Sequence, residues 1–200
     1  MPRRKEASAG PFSVPALAKL ELRGRGIVLR PVKLSDGKGL LPHVRDKEIS
    51  RFTGIPHPYR REYMTEFLTR VVKEMKAGRR FVFVIRRYDS EEPLGVIDLM
   101  PRYPQWRRLE LGYWLGRRFW NQGIMTQAVK LVLQFAFETL KLHRVDVGHF
   151  DSNEASRRVI EKCWFRREGV SREGAFAGGR WYNLVDYGLL EQEYRAVIKK

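Results

Sequence analysis

Cysteine is nearly missing from this 200-residue chain: Cys163 stands alone, so no disulfide can close within it. The histidines His43, His57, His143 and His149 are scattered without the spacing of a zinc site, and a metal-free site in a reducing cytoplasm is the expectation. No uncharged apolar run approaches the roughly 18 residues that cross a bilayer. The basic start Met1 to Lys5 is not followed by the apolar stretch of a secretory signal, so no membrane partner is expected. Two nucleotide-binding patterns are also absent, the triple-glycine dinucleotide fingerprint and the loop ending in Gly-Lys-Ser/Thr.

Acidic residues are scarce beside basic ones, 23 Asp and Glu against 39 Lys and Arg, which leaves a net charge of +16. Such a chain works with an anionic cofactor or a polyanion. The excess is dispersed in pairs such as Arg60-Arg61, Arg79-Arg80 and Arg107-Arg108, the mark of a folded basic surface. Apolar residues at 43% and aromatics at 12% exclude a disordered chain, and the length suits one domain with its own core.

Residues 1–25 carry Pro2, Pro11, Pro15, Gly10 and Gly24 with little periodicity and read as a loosely held basic arm, ahead of a single domain over 26–200. Ile27 to Val32 reads as a strand, with Ser35 or Asp36 capping a helix that runs to about Val44. From Arg60 to Lys76, the residues Tyr63, Phe67, Leu68, Val71, Val72 and Met75 recur every three or four positions, which predicts an amphipathic helix stopped at Gly78. Phe81–Ile85 and Leu94–Leu99 form a predicted hairpin, and Leu109–Leu115 a third strand. A helix follows from Gly123 to about Thr139, then a strand over His143–His149, a helix over Glu154–Cys163 and a last strand over Trp181–Leu190. Antiparallel strands followed by a βαβ unit define a mixed α/β (α+β) class, with a ligand at the strand end that enters the central helix.

That junction is Leu115-Gly-Arg-Arg-Phe-Trp-Asn-Gln-Gly-Ile-Met-Thr126. A helix start offers free N–H groups and partial positive charge, and Gly123 lets phosphate oxygens approach. Arg117 and Arg118 add charge for the same phosphates.

Glu110-Leu-Gly-Tyr-Trp-Leu115 followed by Trp120-Asn-Gln-Gly-Ile-Met-Thr-Gln-Ala-Val129 resembles the strand and acetyl-CoA pyrophosphate loop of the GNAT N-acetyltransferase superfamily. Asp151-Ser-Asn-Glu-Ala-Ser156, Arg158 to Phe165 and Arg167-Glu-Gly169 resemble its next helix and loop, and the branch most resembled is that of ribosomal-protein N-terminal acetyltransferases. The resemblance runs in register from about Ile27 to Tyr194. It implies a strongly twisted mixed sheet whose central parallel strands splay apart, helices on both faces, and direct acetyl transfer from acetyl-CoA to an amine. Three departures stand out: Trp120 replaces Gln or Arg, Met125 replaces a small residue, and Cys163-Trp-Phe165 stands where Gly-Phe is usual.

By that resemblance, the main chain of Tyr113, Trp114 and Leu115 binds pantetheine. Arg117, Arg118, Asn121, Gln122, Gly123, Ile124, Met125 and Thr126 hold the diphosphate, and Asn153 and Ser156 meet the pantetheine and its sulfur. Many members carry a tyrosine acid where this chain has Ile160, and the ribosomal-protein branch uses a serine instead, matching Ser156. Its water-borne glutamate base matches Glu173, with Glu110 as rival. An α-amine of pKa about 7.8 is roughly 14% neutral at pH 7, against roughly 0.04% for a lysine at about 10.4, so an N-terminal acceptor asks little of its base. His143 and His149 read as edge or core histidines, and Cys163 as a small buried hydrophobe. The function expected is acetyl-CoA-dependent acetylation of a protein N-terminus, that of a ribosomal protein, with incidental RNA contact. Two alternatives are a small-amine acetyltransferase, for an aminoglycoside or polyamine, and a basic RNA-binding module.

Overall fold

The computed structural model describes Phe12 and residues 17–199. Eight strands form one sheet in the order β1-β2-β3-β4-β5-β6-β8-β7. They are β1 (Leu22–Arg23), β2 (Ile27–Pro31), β3 (Phe81–Arg87), β4 (Pro93–Tyr103), β5 (Arg108–Leu115), β6 (Arg144–Phe150), β7 (Arg166–Ala177) and β8 (Arg180–Leu190). All neighbours are antiparallel except β5 and β6. The mixed sheet expected from sequence is therefore present.

Most of the arm expected over residues 1–25 lies outside the described residues. In its final part Leu22 and Arg23 pair with Leu29 and Val28 as the two-residue edge strand β1.

Strand β3 is buried on both faces, which is why Phe81 to Ile85 reads as an unbroken apolar run. Phe81, Phe83 and Ile85 join the core under α4 (Ile124–Gln134), where the Phe135 ring stands edge-on to both phenylalanines at 5.4 Å. Val82 and Val84 face α1 (Gly37–Val44), α2 (Lys47–Arg51) and α3 (Arg61–Lys76) on the opposite side. The periodic stripe of α3 is buried there through Met64, Leu68, Val71 and Met75, and Gly78 ends the helix with φ +63°. The helix expected to reach Thr139 does so by widening into one π turn over Phe135–Thr139. Helix α5 (Glu154–Lys162) and α6 (Glu191–Ile198) complete the α4 face, and Tyr194 of α6 stacks on Phe137 at 4.8 Å. Neither α2 nor α6 is expected from periodicity, since five and eight residues are too short to show a stripe.

The parallel β5–β6 contact lasts three rungs, Arg108↔Arg144, Leu109↔Val145 and Glu110↔Asp146, and then stops. The apex is pinned by Asp146, which is buried and accepts from Arg108 Nη2 at 2.8 Å and Arg144 Nε at 2.7 Å. Beyond it, Leu111–Leu115 and Val147–Phe150 run on without pairing each other, so the sheet opens into a seam.

Candidate active site

A cavity of about 780 Å³ fills this seam and passes from one face of the sheet to the other. Alternation along β5 sends Leu109, Leu111, Tyr113 and Leu115 toward α4 and α5, and Glu110, Gly112 and Trp114 toward α1–α3. Each side of the cavity consequently has its own chemistry.

On the α5 side, Asn153 caps the helix: its Oδ1 accepts the Ser156 N–H at 3.1 Å. The hydroxyls of Ser156 and Tyr113 lie 2.8 Å apart, and burial pushes the Tyr113 phenol well above its usual pKa. Arg158 and Lys162, one turn apart on α5, supply positive charge to this wall. At the mouth, Asn121 holds φ +59° and Gly123 caps α4 with φ +73°; a Cβ on Gly123 would meet nothing within 4 Å. Glycine is required there for its backbone angle, and the open space leaves the N–H groups that begin α4 accessible.

The α1–α3 side carries three carboxylates and one guanidinium, that of Arg80, among apolar residues. Glu48, Asp98 and Glu110 line it beside Val44, Ile49 and Tyr59. Glu110 sits on the last paired rung of the seam, half-buried, and accepts from Arg102 Nη1 at 3.3 Å. Asp98 is buried on the neighbouring strand opposite Gly112 and bound by the Arg80 guanidinium, whose Nε lies 2.9 Å from Oδ2. Burial pushes the Asp98 carboxyl up to about 6, against the lowering effect of Arg80.

Tyr113, Trp114, Leu115, Asn121, Gln122, Gly123, Ile124, Met125, Thr126, Asn153, Ser156 and Glu110 all line the cavity. Three expected residues do not. Arg117 and Arg118 lie on a separate 3-10 turn, and Arg118 turns outward to pair with Glu92. Glu173 is exposed in a bulge of β7 at φ +48°, its N–H bonded to Asn183 Oδ1 at 3.0 Å, because the Ser171–Ala175 register shift carries it off the cavity wall. Sequence reasoning overlooked Arg158 and Lys162, whose i, i+4 spacing marks one helical face. It also missed Asp98, which looks like an ordinary strand residue until β5 is set beside it.

Two of the three departures from the family pattern can be followed in the fold, Trp120 and Cys163-Trp164. Trp120 Nε1 donates to the Leu115 carbonyl at 2.6 Å and so ties the loop to the strand end. Trp164 adopts φ +67° where glycine would be at ease. Cys163 is buried, its thiol bonds the Thr126 carbonyl at 3.5 Å, and burial pushes its pKa up to about 12, so it is inert packing. His149 is buried and His143 exposed. Trp181 is exposed away from the cavity, while Tyr182 stacks under Phe150 at 4.6 Å. Among the described residues no group of three His, Cys, Asp or Glu side chains could hold a metal ion, and no helix is long and apolar enough to cross a membrane.

The residues fit acetyl-CoA: an unpaired strand edge for an extended amide chain, a left-handed glycine before a helix start for phosphates, and basic residues on α5. Gly123→Ala should therefore destabilise the fold by only about 1 kcal/mol, the left-handed penalty for alanine. It should weaken CoA binding about tenfold. Calorimetric titration beside a thermal melt separates the two, and undiminished affinity would discount this loop.

A model of the acetyltransferase (GNAT) domain matches residues 27–166. A Bacillus subtilis (strain 168) protein named "Putative ribosomal N-acetyltransferase YdaF" is 40% identical over 88 residues, 44% of this chain and about half, 48%, of that one. "Probable N-acetyltransferase YjcK" of the same organism is 30% identical over 166 residues, 80% of this chain and 91% of its own length. Among solved structures, RimL, a ribosomal L7/L12 alpha-N-protein acetyltransferase in complex with coenzyme A, superposes with a TM-score of 0.80 at 19% identity, over 86% of this chain and 98% of that one.

Proposed function

The chain belongs to the GNAT acetyltransferase family, and from that membership we propose that it acetylates the α-amine of a protein N-terminus, that of a ribosomal protein, in the cytoplasm. It is an N-acetyltransferase, and acetyl-CoA is the donor its family uses. The observation that carries the acceptor reading is the cavity that crosses the sheet, with Glu48, Glu110 and the Asp98–Arg80 pair on one side and the Tyr113 and Ser156 hydroxyls with Arg158 and Lys162 on the other. An acceptor entering from the α1–α3 side comes end-on, which suits a chain terminus, and meets negative charge that attracts its ammonium form. The name of the YdaF relative and the +16 charge support a substrate found among ribosomal RNA.

Acetyl-CoA supplies an acetyl group activated as a thioester. The main chain of Tyr113, Trp114 and Leu115 binds the pantetheine arm, and the loop from Asn121 to Thr126 holds the diphosphate with Arg158 and Lys162 beside it. Glu110 takes the amine proton, because it lines the cavity on the acceptor side where Glu173 does not. Ser156, held by Asn153, faces the sulfur.

Specific carboxylates also favour a second reading, a small polycationic amine drawn by Glu48, Asp98 and Glu110. One assay decides: mass spectrometry after incubating acetyl-CoA with peptides bearing ribosomal-protein N-termini, with the same peptides blocked at the α-amine, and with spermidine. Acetylation of free α-amines alone is the expected result. Acetylation confined to lysine side chains, or preference for spermidine, defeats the α-amine reading.

A further inference from the structure

Tyr113 and Ser156 stand 43 residues apart in sequence, yet their hydroxyl oxygens lie 2.8 Å apart on the cavity wall. One proton lies between these oxygens and the other is free, so the direction of the bond decides which group can donate onward. Either oxygen can donate, and the greater acidity of a phenol favours donation from Tyr113 to Ser156. Ser156 is left with its own proton for a third partner, and accepting one hydrogen bond makes it a better donor. Burial raises the phenol's pKa, so Tyr113 keeps the proton it needs to donate. The backbone side is also fixed, since Asn153 Oδ1 holds the Ser156 N–H at 3.1 Å. Ile160, one turn further along α5, is buried and carries no hydroxyl that could substitute.

We propose that Tyr113 is a positioning residue: it turns the Ser156 hydroxyl so that its proton is offered to the sulfur that departs when the acetyl group is transferred. The inference rests on the acetyl-CoA reading of the cavity and on Ser156 facing the sulfur. The amine nitrogen bonds the acetyl carbon as its proton goes to Glu110, the C–S bond breaks with its pair left on sulfur, and the thiolate accepts the Ser156 hydrogen bond. Tyr113 remains neutral throughout.

The test is a double-mutant cycle of Tyr113→Phe and Ser156→Ala in the full chain, with two readouts. The first is the ultraviolet titration of the thiol of bound CoA, taken as the difference from bound desulfo-CoA so that tyrosine ionisation cancels. Each single change should raise the thiol's pKa by about one unit, a tenfold change in its ionisation constant. The double variant should match Ser156→Ala. The second readout is turnover: Tyr113→Phe should lower kcat about tenfold, within the reach of one hydrogen bond, with KM for acetyl-CoA unchanged and no further loss when Ser156 is already alanine. Melting temperature and CoA affinity are measured alongside, and a thiol pKa shift in Tyr113→Phe that vanishes once Ser156 is alanine is what a packing defect would not produce. An unmoved thiol pKa in Tyr113→Phe, or an equal loss with and without Ser156, overturns the proposal. The titration needs no acceptor, so an enzyme that acetylates no peptide α-amine sinks the acceptor reading alone, while the thiol pKa still decides the role of Tyr113.

Discussion

Glu110→Gln should lower kcat/KM for a peptide α-amine about 100-fold at pH 7, the low end of the range for a removed general base. The carboxylate stands on the final rung before β5 and β6 part, on the acceptor side of the cavity, and glutamine keeps its size while losing its capacity to take a proton. The low end applies because an α-amine of pKa about 7.8 is already partly neutral at that pH. The deficit should therefore shrink as pH rises past the amine's own pKa, whereas a lysine acceptor would leave it nearly constant. Paired pH profiles on one peptide measure this, with Glu173→Gln as a control expected to stay within about twofold of wild type, since Glu173 is exposed and does not line the cavity. A Glu110→Gln loss below about threefold throughout would remove Glu110 as base.

Arg80→Met should destabilise the protein by about 3–5 kcal/mol near pH 7, the usual result of leaving one member of a buried ion pair without the other. Arg80 is bound to Asp98 and lies 3.4 Å from Glu74, so its loss strands a buried carboxylate beside a second one. The pH dependence follows from Asp98, whose carboxyl is pushed up to about 6 in the fold by burial from an ordinary 3.8. The folded protein holds that proton more tightly than the unfolded chain. Its contribution to stability is full below about 4 and is lost as pH rises through about 6. Without Arg80 the carboxyl loses the group that lowers its pKa, so the variant should regain much of its stability on acidification from pH 7 to 5. Denaturant unfolding at both values checks the sign, and a loss independent of pH would show that packing of the arginine stem, not Asp98, is responsible.

Much of the architecture was legible because it is local. The stripe from Tyr63 to Met75, the apolar run at Phe81–Ile85 and the turn at Gly123 each express a preference that a few neighbouring residues satisfy alone. The GNAT resemblance rests on the same kind of contiguous segment, and the loop residues from Asn121 to Thr126 do line the cavity. Arg117 and Arg118 show the limit: adjacent to the loop in sequence, they sit on a turn whose geometry aims them elsewhere.

The chain by itself determined an acetyltransferase fold, the left-handed glycine turn before α4 and the strand and helix that flank the cavity. Tertiary structure alone decided which glutamate lines the cavity, that Asp98 and Arg80 share a wall with it, and that Tyr113 reaches Ser156. The reason is register. Strand faces alternate residue by residue, so a bulge at Ser171–Ala175 or the end of pairing at Glu110↔Asp146 carries a side chain onto or away from the site. No short stretch of sequence records where those interruptions fall.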